Sequence, residues 1–208
     1  MNNKSIYIFY STYSMILVLM KNDLNEALQD QNGLKEVPPV DNKDPTMKTY
    51  VRECGKDANG NPVYRTEFVS AIFMPTDHHP NERNDFPSTG NTSKSYMQQN
   101  LNAQSGDERG HLIPSVLGGP AVSHNMAPQP ASVNRNVGRD PNNGNWYKNE
   151  REMVSYLKAG NGFIRHEVQP TYADNNSGRP TSFKWVTAYY DTSGSLIRTV
   201  SGVAHSSM

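Results

Sequence analysis

The chain has 208 residues, with 20 basic and 20 acidic side chains and a formal net charge of zero. This length suits one domain, or one domain with an arm, and the zero charge gives no global reason to expect a nucleic-acid partner. The only cysteine, Cys54, excludes an intramolecular disulfide and a cysteine-based zinc site.

The N-terminus has the outline of a secretory signal. Lys4 precedes a run over residues 6–20 that is apolar apart from Ser11, Thr12 and Ser14. One positive charge before an apolar stretch is typical of a signal peptide, and the run is too short and too interrupted for a membrane span. We therefore expect a secreted protein with no stable membrane span in its mature form. The alternative is an N-terminal strand or a gene-model extension.

Residues 22–47 are polar and contain Pro38, Pro39 and Pro45, so they predict a linker or arm. With the signal-like segment they make up residues 1–47, and we expect the folded domain over residues 48–208. Frequent asparagine, 15 glycines and 14 prolines favour a loop-rich fold with short strands over a helical bundle.

A hairpin is predicted at the start of the domain. Residues 49–54 and 63–74 have the composition of strands, and residues 57–61 are typical of a turn. Residues 75–105 are rich in proline, asparagine, serine and glycine, so they predict a long surface loop. Such a loop inside a domain is more often functional than idle.

The second half of the chain predicts one principal helix and three more strands. His111 begins an apolar segment that we place on a strand, and residues 120–145 show no regular pattern. A helix is predicted from Asn145, a residue type that caps helix N-termini, to Gly160. Alternating patterns predict strands over residues 162–169, 182–190 and 195–203.

Arg109 and His111 are the first pair of residues that could take part in a reaction. Residues two apart on a strand point to the same side, so both side chains could face one phosphate. The arginine disfavours a second positive charge on the imidazole, which keeps the ring neutral and able to accept a proton. The alternatives are a hydrogen-bonded core histidine and a surface ion pair of Arg109 with Glu108 or Asp107.

Glu150 is the one charged residue on an apolar face of the predicted helix. The other residues of this face lie at helical spacing from it: Trp146, Met153, Val154 and Leu157. Burial of a carboxylate without a partner is costly. Glu150 is therefore either paired with an arginine or part of a site.

These residues form one ordered pattern along the chain. It runs Asp107-Glu108-Arg109-Gly110-His111, then Asn125-Met126-Ala127-Pro128-Gln129, then Asn134, then Trp146 and Glu150. The pattern resembles that of the DNA/RNA non-specific endonucleases of the ββα-metal (His-Me finger) class, which include bacterial secreted-toxin-like members. The resemblance is specific over residues 107–150 and loose elsewhere. It implies an α+β fold with a ββα-metal core, a mainly antiparallel sheet, one principal helix and long loops.

The resemblance also implies roles for single residues. His111 is expected to be the general base and Arg109 to stabilise charge on the phosphate. Asn134 is expected to bind one Mg²⁺ (or Mn²⁺) directly, and Glu150 to hold a water of that ion; the alternative for Asn134 is an Asx turn. Four residues are expected to have supporting roles: Asp107, Glu108, Asn125 and the helix-packing Trp146.

Two features depart from the family pattern. Glu108 stands where aspartate is common, and the stretch between Asn134 and Trp146 is longer than usual, which indicates an inserted loop. Arg135 and Arg139 lie in this loop and are expected to contact substrate. From Arg109 to Arg165 there are seven basic residues (109, 135, 139, 148, 151, 158 and 165) against three acidic ones (140, 150 and 152). This local excess of positive charge is compatible with a nucleic-acid substrate.

The sequence therefore predicts a metal-dependent, sugar-non-specific endonuclease that hydrolyses DNA, RNA or both to 5′-phosphate products. Two alternatives remain open. One is an inactive, nucleic-acid-binding relative of the nuclease fold. The other is a nuclease toxin with an immunity or inhibitor protein as its partner.

Overall fold

The computed structural model describes residues 33–38, 46–77, 90–135 and 144–206. Within them the strands are β1 (Leu34–Val37), β2 (Thr46–Lys56), β3 (Pro62–Phe73), β4 (Asp107–His111), β5 (Met126–Pro130), β6 (Gly162–Thr171), β7 (Ser182–Asp191) and β8 (Leu196–His205). The α-helices are α1 (Lys94–Asn100), α2 (Ala131–Asn134) and α3 (Gly144–Lys158).

The main sheet has six antiparallel strands in the order β1-β2-β3-β6-β7-β8. The chain leaves the sheet after Phe73 and returns at Gly162, and Phe73 is the register partner of Ile164. All of β4, β5 and the three helices lie in this insert. The sheet is therefore a platform, and the whole predicted site is inserted between two of its neighbouring strands.

Helix α3 packs on one face of the platform. Its buried side chains, Trp146, Met153 and Leu157, join a core cluster with residues of the sheet. The ring centroids of Trp146 and Phe183 lie 5.8 Å apart. Each such side chain stabilises the fold by roughly 1.5–3 kcal/mol through removal of apolar surface from water. The apolar spacing of the helix thus determines which of its faces meets the sheet.

Strand β7 shows which face of the sheet the helix covers. Phe183, Trp185 and Tyr189 are buried, whereas Lys184 and Val186 are exposed. Successive side chains of a strand point to opposite faces, so the odd-numbered residues face α3 and the even-numbered ones face away from it.

A buried polar cluster lies beneath α3. The side-chain nitrogen of Asn149 donates to Thr187 Oγ1 at 2.9 Å, and His166 Nδ1 lies 2.8 Å from the same oxygen. Burial lowers the pKa of His166 to about 4, which keeps its ring neutral near pH 7. Thr187 therefore links the helix to two strands of the sheet.

The long periodic elements predicted from sequence are confirmed. The predicted hairpin corresponds to β2 and β3, the predicted helix to α3, and the three C-terminal strands to β6, β7 and β8. The predicted α+β class with a mainly antiparallel sheet is confirmed as well.

The prediction of a strand that begins at His111 is wrong, because β4 ends at that residue. Residues 112 and 113 follow the strand and are fully buried. Residues 120–145 are also not wholly irregular, since β5 and α2 lie there. Pro128 and Pro130 argue against a strand at β5 in the sequence, because proline has no N–H to donate to the hydrogen bonds between strands. A two-stranded ribbon tolerates both residues because each of its strands has a free edge.

The predicted loop over residues 75–105 contains α1, which was missed because it is short and polar. Ser93 caps this helix by accepting from the backbone N–H of Tyr96 at 3.0 Å. The segment predicted as a linker, residues 22–47, contains β1, which pairs with β2 from Leu34↔Arg52 onward. The sheet thus begins before the expected domain start at residue 48.

The signal-like segment lies outside the described residues. No helix within the described residues is long and apolar enough to cross a membrane.

Replacement of Thr187 by valine should destabilise the protein. Thr187→Val keeps the shape of the side chain but leaves the Asn149 amide and the His166 ring without their shared partner. We expect a loss of about 2–4 kcal/mol in the free energy of unfolding, measured by urea denaturation at pH 7. Thr199→Val, on the exposed side of β8, is the control and should change stability by less than about 0.5 kcal/mol. Equal effects of the two changes would contradict the buried role of Thr187.

Candidate active site

The ribbon β4–β5 carries the histidine motif. It pairs Asp107 with Pro130 at one end and His111 with Met126 at the other. Arg109 and His111 both lie on β4, two residues apart and partly buried. By strand alternation both side chains project to the same side of the ribbon.

Gly110 and Gln129 determine the local shape of the ribbon. A Cβ atom on Gly110 would lie 2.0 Å from Gln129 Cδ, so only glycine leaves room for the buried glutamine. In turn, Gln129 Nε2 donates to the carbonyl oxygen of His111 at 3.4 Å. The close approach thus fixes the end of β4 that carries the histidine.

Glu108 joins β4 to α2. Its carboxylate accepts from Asn134 Nδ2 at 2.8 Å and from Arg135 Nε at 2.9 Å, and it forms an ion pair with Arg135 Nη2. An ionised carboxylate accepts hydrogen bonds but cannot donate them. The nitrogen of the Asn134 amide must therefore face Glu108. The amide oxygen is therefore turned away from Glu108.

Asn134 lies between the elements that carry the other candidates. Helix α2 packs against both β4 and α3. Glu108 and His111 are three residues apart on β4, which separates their Cα atoms by about 10 Å and places their side chains on opposite faces of the strand. The amide of Asn134 is therefore anchored beside the strand of His111 and next to the helix of Glu150.

A hydrogen bond within α3 holds the side chain of Glu150. Trp146 Nε1 donates to Glu150 Oε1 at 3.1 Å. Burial raises the pKa of Glu150 to about 7, and the tryptophan hydrogen bond lowers it in part. Among the described residues no arginine pairs with Glu150, so the alternative of a salt bridge has no support there.

Asp107 anchors the start of β4 through a partner that the sequence did not suggest. Arg179 binds its carboxylate with both Nε (2.7 Å) and Nη2 (3.0 Å), and the two side chains are only 4% and 12% exposed. The backbone N–H of Gln104 adds a third hydrogen bond at 2.8 Å. The loop between β6 and β7 is thereby tied to the strand of the motif.

The same loop is tied to the platform by Arg65. Its guanidinium donates to the carbonyl oxygens of Asp174 and Ser177, both at 2.6 Å, and lies 4.0 Å from the ring centroid of Tyr172. This role could not be predicted from local patterns, because the contacts join residues more than a hundred positions apart.

Asn125 is fully buried in the loop framework after β4. Its side-chain oxygen accepts from the backbone N–H of Ile113 at 2.8 Å, and its nitrogen donates to the carbonyl oxygens of Ile113 (3.1 Å) and Pro120 (3.0 Å). Both the oxygen and the nitrogen of the Asn125 amide are therefore engaged within the loop framework.

Five of the ten predicted site residues fall into two groups. Glu108, Asn134 and Arg135 are in direct contact at the ribbon, and Trp146 contacts Glu150 on α3. Arg139 lies outside the described residues. Within the described ranges no three His, Cys, Asp or Glu side chains cluster. A site made of one amide oxygen and water would not form such a cluster, and this donor set suits Mg²⁺.

The model of one protein family, described as DNA/RNA non-specific endonuclease, matches residues 65–190. This range includes β4, β5, α2 and α3 together with β6 and most of β3 and β7. No curated protein matches the chain.

Several solved structures are similar to the chain. One is a complex of the nuclease EndoG with EndoGI, at 16% identity and a TM-score of 0.52, over 83% of this chain and 74% of that chain. Another is an extracellular endonuclease, at 17% identity and a TM-score of 0.48, over 84% of this chain and 83% of that one. A third is NucA from Streptococcus agalactiae with magnesium bound, at 16% identity and a TM-score of 0.48, over 91% and 88%. At such identities a likeness bears on the fold alone.

Loss of Arg179 should destabilise the protein strongly. Arg179→Leu leaves the Asp107 carboxylate buried without its counter-charge, and we expect a loss of about 3–5 kcal/mol in the free energy of unfolding. The double change Asp107→Leu with Arg179→Leu should recover a large part of it, as measured by urea denaturation in a double-mutant cycle.

The matched control is the exposed ion pair of Arg198 with Glu152, at 2.6 Å and 40% exposure on each side. Glu152→Gln should cost less than about 1 kcal/mol. Additive effects in the Asp107–Arg179 cycle would contradict the proposed coupling.

Proposed function

Because the chain belongs to the DNA/RNA non-specific endonuclease family, and so is an endonuclease, we propose that it hydrolyses DNA or RNA without regard to the sugar and leaves 5′-phosphate products. The observation that carries this proposal is the contact of Glu108 with Asn134. The Glu108 carboxylate accepts from the amide nitrogen of Asn134, so the amide oxygen is turned away from that carboxylate. An oxygen presented in this way is suited to a hard divalent cation.

His111 is the proposed general base. It takes a proton from a water molecule whose oxygen attacks phosphorus in line; the new P–O bond forms as the bond to the 3′ oxygen breaks. The products are a 5′-phosphate and a 3′-hydroxyl. The contact of Gln129 with the carbonyl oxygen of His111 supports the role, because it restrains the backbone that carries the ring.

Arg109 is proposed to bind the phosphate and to stabilise the charge that grows on its oxygens. Its position two residues before His111 supports this role, because both side chains then reach the same phosphate. Arg135 and Arg139 are proposed to contact the substrate strand nearby. Every contact is to the backbone of the nucleic acid, so no base identity is read.

One Mg²⁺ or Mn²⁺ ion is proposed to complete the site. Asn134 would hold it through Oδ1, and Glu150 would accept a hydrogen bond from one of its waters. When bound, the ion supplies positive charge to a phosphate oxygen and to the departing oxygen. Glu150, Asp107, Glu108, Asn125 and Trp146 keep their expected supporting roles within this proposal.

The protein is also proposed to be secreted, which the signal-like pattern of residues 4–20 supports. A second candidate is a nuclease toxin with an immunity or inhibitor protein as its partner. The competing proposal is an inactive relative that only binds nucleic acid. A cleavage assay separates it from the nuclease.

His111→Ala should remove most cleavage of plasmid DNA. We expect the rate to fall by about 10²-fold or more because the base is lost, with an unchanged melting temperature. His205→Ala, at the end of β8 and exposed, is the control and should cleave like the wild type.

A chelator should stop the wild-type reaction, and Mg²⁺ or Mn²⁺ should restore it. Full activity in the chelator would reject the metal. A wild-type protein that binds plasmid but never nicks it would favour the inactive relative.

Glu150→Gln should make the protein more stable at pH 8 and less active. The pKa of Glu150 is about 7 in the folded protein against an ordinary 4.5. Above pH 7 the carboxylate is charged in both states, and the folded state bears the cost of its burial; below pH 4.5 it is protonated in both, and the cost vanishes. The free energy of unfolding therefore falls as pH rises from 4.5 to about 7.

In chelator at pH 8, the glutamine variant should exceed the wild type by about 1–3 kcal/mol in the free energy of unfolding. At pH 4.5 the two should agree. Glu53→Gln, at an exposed position, is the control and should show no such pH dependence. A glutamine variant that is less stable than the wild type at pH 8 would contradict the burial of the charge.

A further inference from the structure

One flank of α3 carries an aromatic ring and two positive charges in line. Tyr147, Arg151 and Lys158 are exposed, and Tyr147 is 41% exposed. At about 100° per residue, the three lie within about 40° of one another around the helix and span about 17 Å along it. We call these three residues the basic-aromatic stripe.

The stripe is on the same side of α3 as Glu150. The opposite flank faces the sheet edge, where Glu152 binds Arg198 and the ring of Tyr156 lies 5.0 Å from that of Tyr189. Around the helix, Tyr147 is about 60°, Lys158 about 80° and Arg151 about 100° from Glu150. The tyrosine is therefore the part of the stripe that lies nearest to the proposed catalytic site.

The charges of the stripe are not neutralised by carboxylates of the described chain. Arginines elsewhere in it pair with carboxylates: Arg52 and Arg65 with Glu67, Arg135 with Glu108, Arg165 with Glu167, Arg179 with Asp107 and Arg198 with Glu152. Arg151 and Lys158 have no such partner among the described residues. An ordinary solvated helix face has alternating charges and pairs them.

We propose that the basic-aromatic stripe binds the substrate strand next to the scissile bond. Arg151 and Lys158 contact consecutive phosphates, and Tyr147 stacks on a nucleobase of the same strand. The proposal rests on the nuclease function and adds a substrate class to it. Because the faces of paired bases are covered within a duplex, a ring of this kind can stack only on an unpaired base. The preferred substrate is therefore single-stranded or locally unpaired nucleic acid.

Binding should be measured in the full chain with His111→Ala, in chelator, so that nothing is cut. The probes are a fluorescent single strand of about 12 nucleotides and the duplex of the same sequence, and the readout is fluorescence anisotropy. Tyr147→Ala in this background should weaken binding of the single strand roughly 5- to 50-fold and binding of the duplex less than about twofold. Tyr147→Phe keeps the ring and should bind like the parent.

Arg151→Ala should weaken both probes by a similar factor and reduce the salt dependence of the dissociation constant by about one unit of log–log slope. The control is Lys184→Ala, which removes an exposed charge on the face of the sheet away from α3. It should change neither affinity nor slope.

Two results would overturn the proposed role of the stripe. One is that Tyr147→Ala weakens binding of the single strand and of the duplex equally, or weakens neither. The other is an effect of Lys184→Ala as large as that of Arg151→Ala. Cleavage by the wild type with Mg²⁺ is measured separately: if it cuts, the nuclease stands whatever the stripe does, and if it does not, the proposed function fails on its own account.

Discussion

The site depends on one carboxylate that binds two residues of the next element. Glu108 holds the amide of Asn134 and the guanidinium of Arg135, and so joins the strand of the histidine to the short helix that follows the ribbon. Without it, the amide could turn either end outward, and its oxygen would have no defined direction. An aspartate at this position would reach less far by one methylene.

The rest of the structure keeps that contact in place. Asp107 and Arg179 fix the first residue of β4, Gln129 fixes the last, and Asn125 fixes the loop beyond it. Each anchor is buried and hydrogen-bonded, so each would cost more to break than an exposed contact. The strand of the histidine is thus restrained at both ends.

The sequence could predict the long, periodic elements and the order of the motif, since spacing along one strand or one helix face is a local property. It could not predict β5, because two prolines hide the strand, nor β1 and α1, which are short and polar. It also missed the partners of Asp107 and Thr187, because Arg179 and His166 are distant in sequence and close only in the fold. Local patterns carry no information on such pairings, which tertiary packing alone determines.

The register of Phe73 with Ile164 has a consequence beyond the site. Because partners in neighbouring antiparallel strands lie about 5 Å apart, the insert leaves the platform and rejoins it at almost the same point. Lengthening the insert therefore adds little closure entropy and no strain to the strands on either side. Relatives can differ greatly in this segment while they retain the same scaffold, so the insert is the natural unit for grafting one enzyme's specificity onto another.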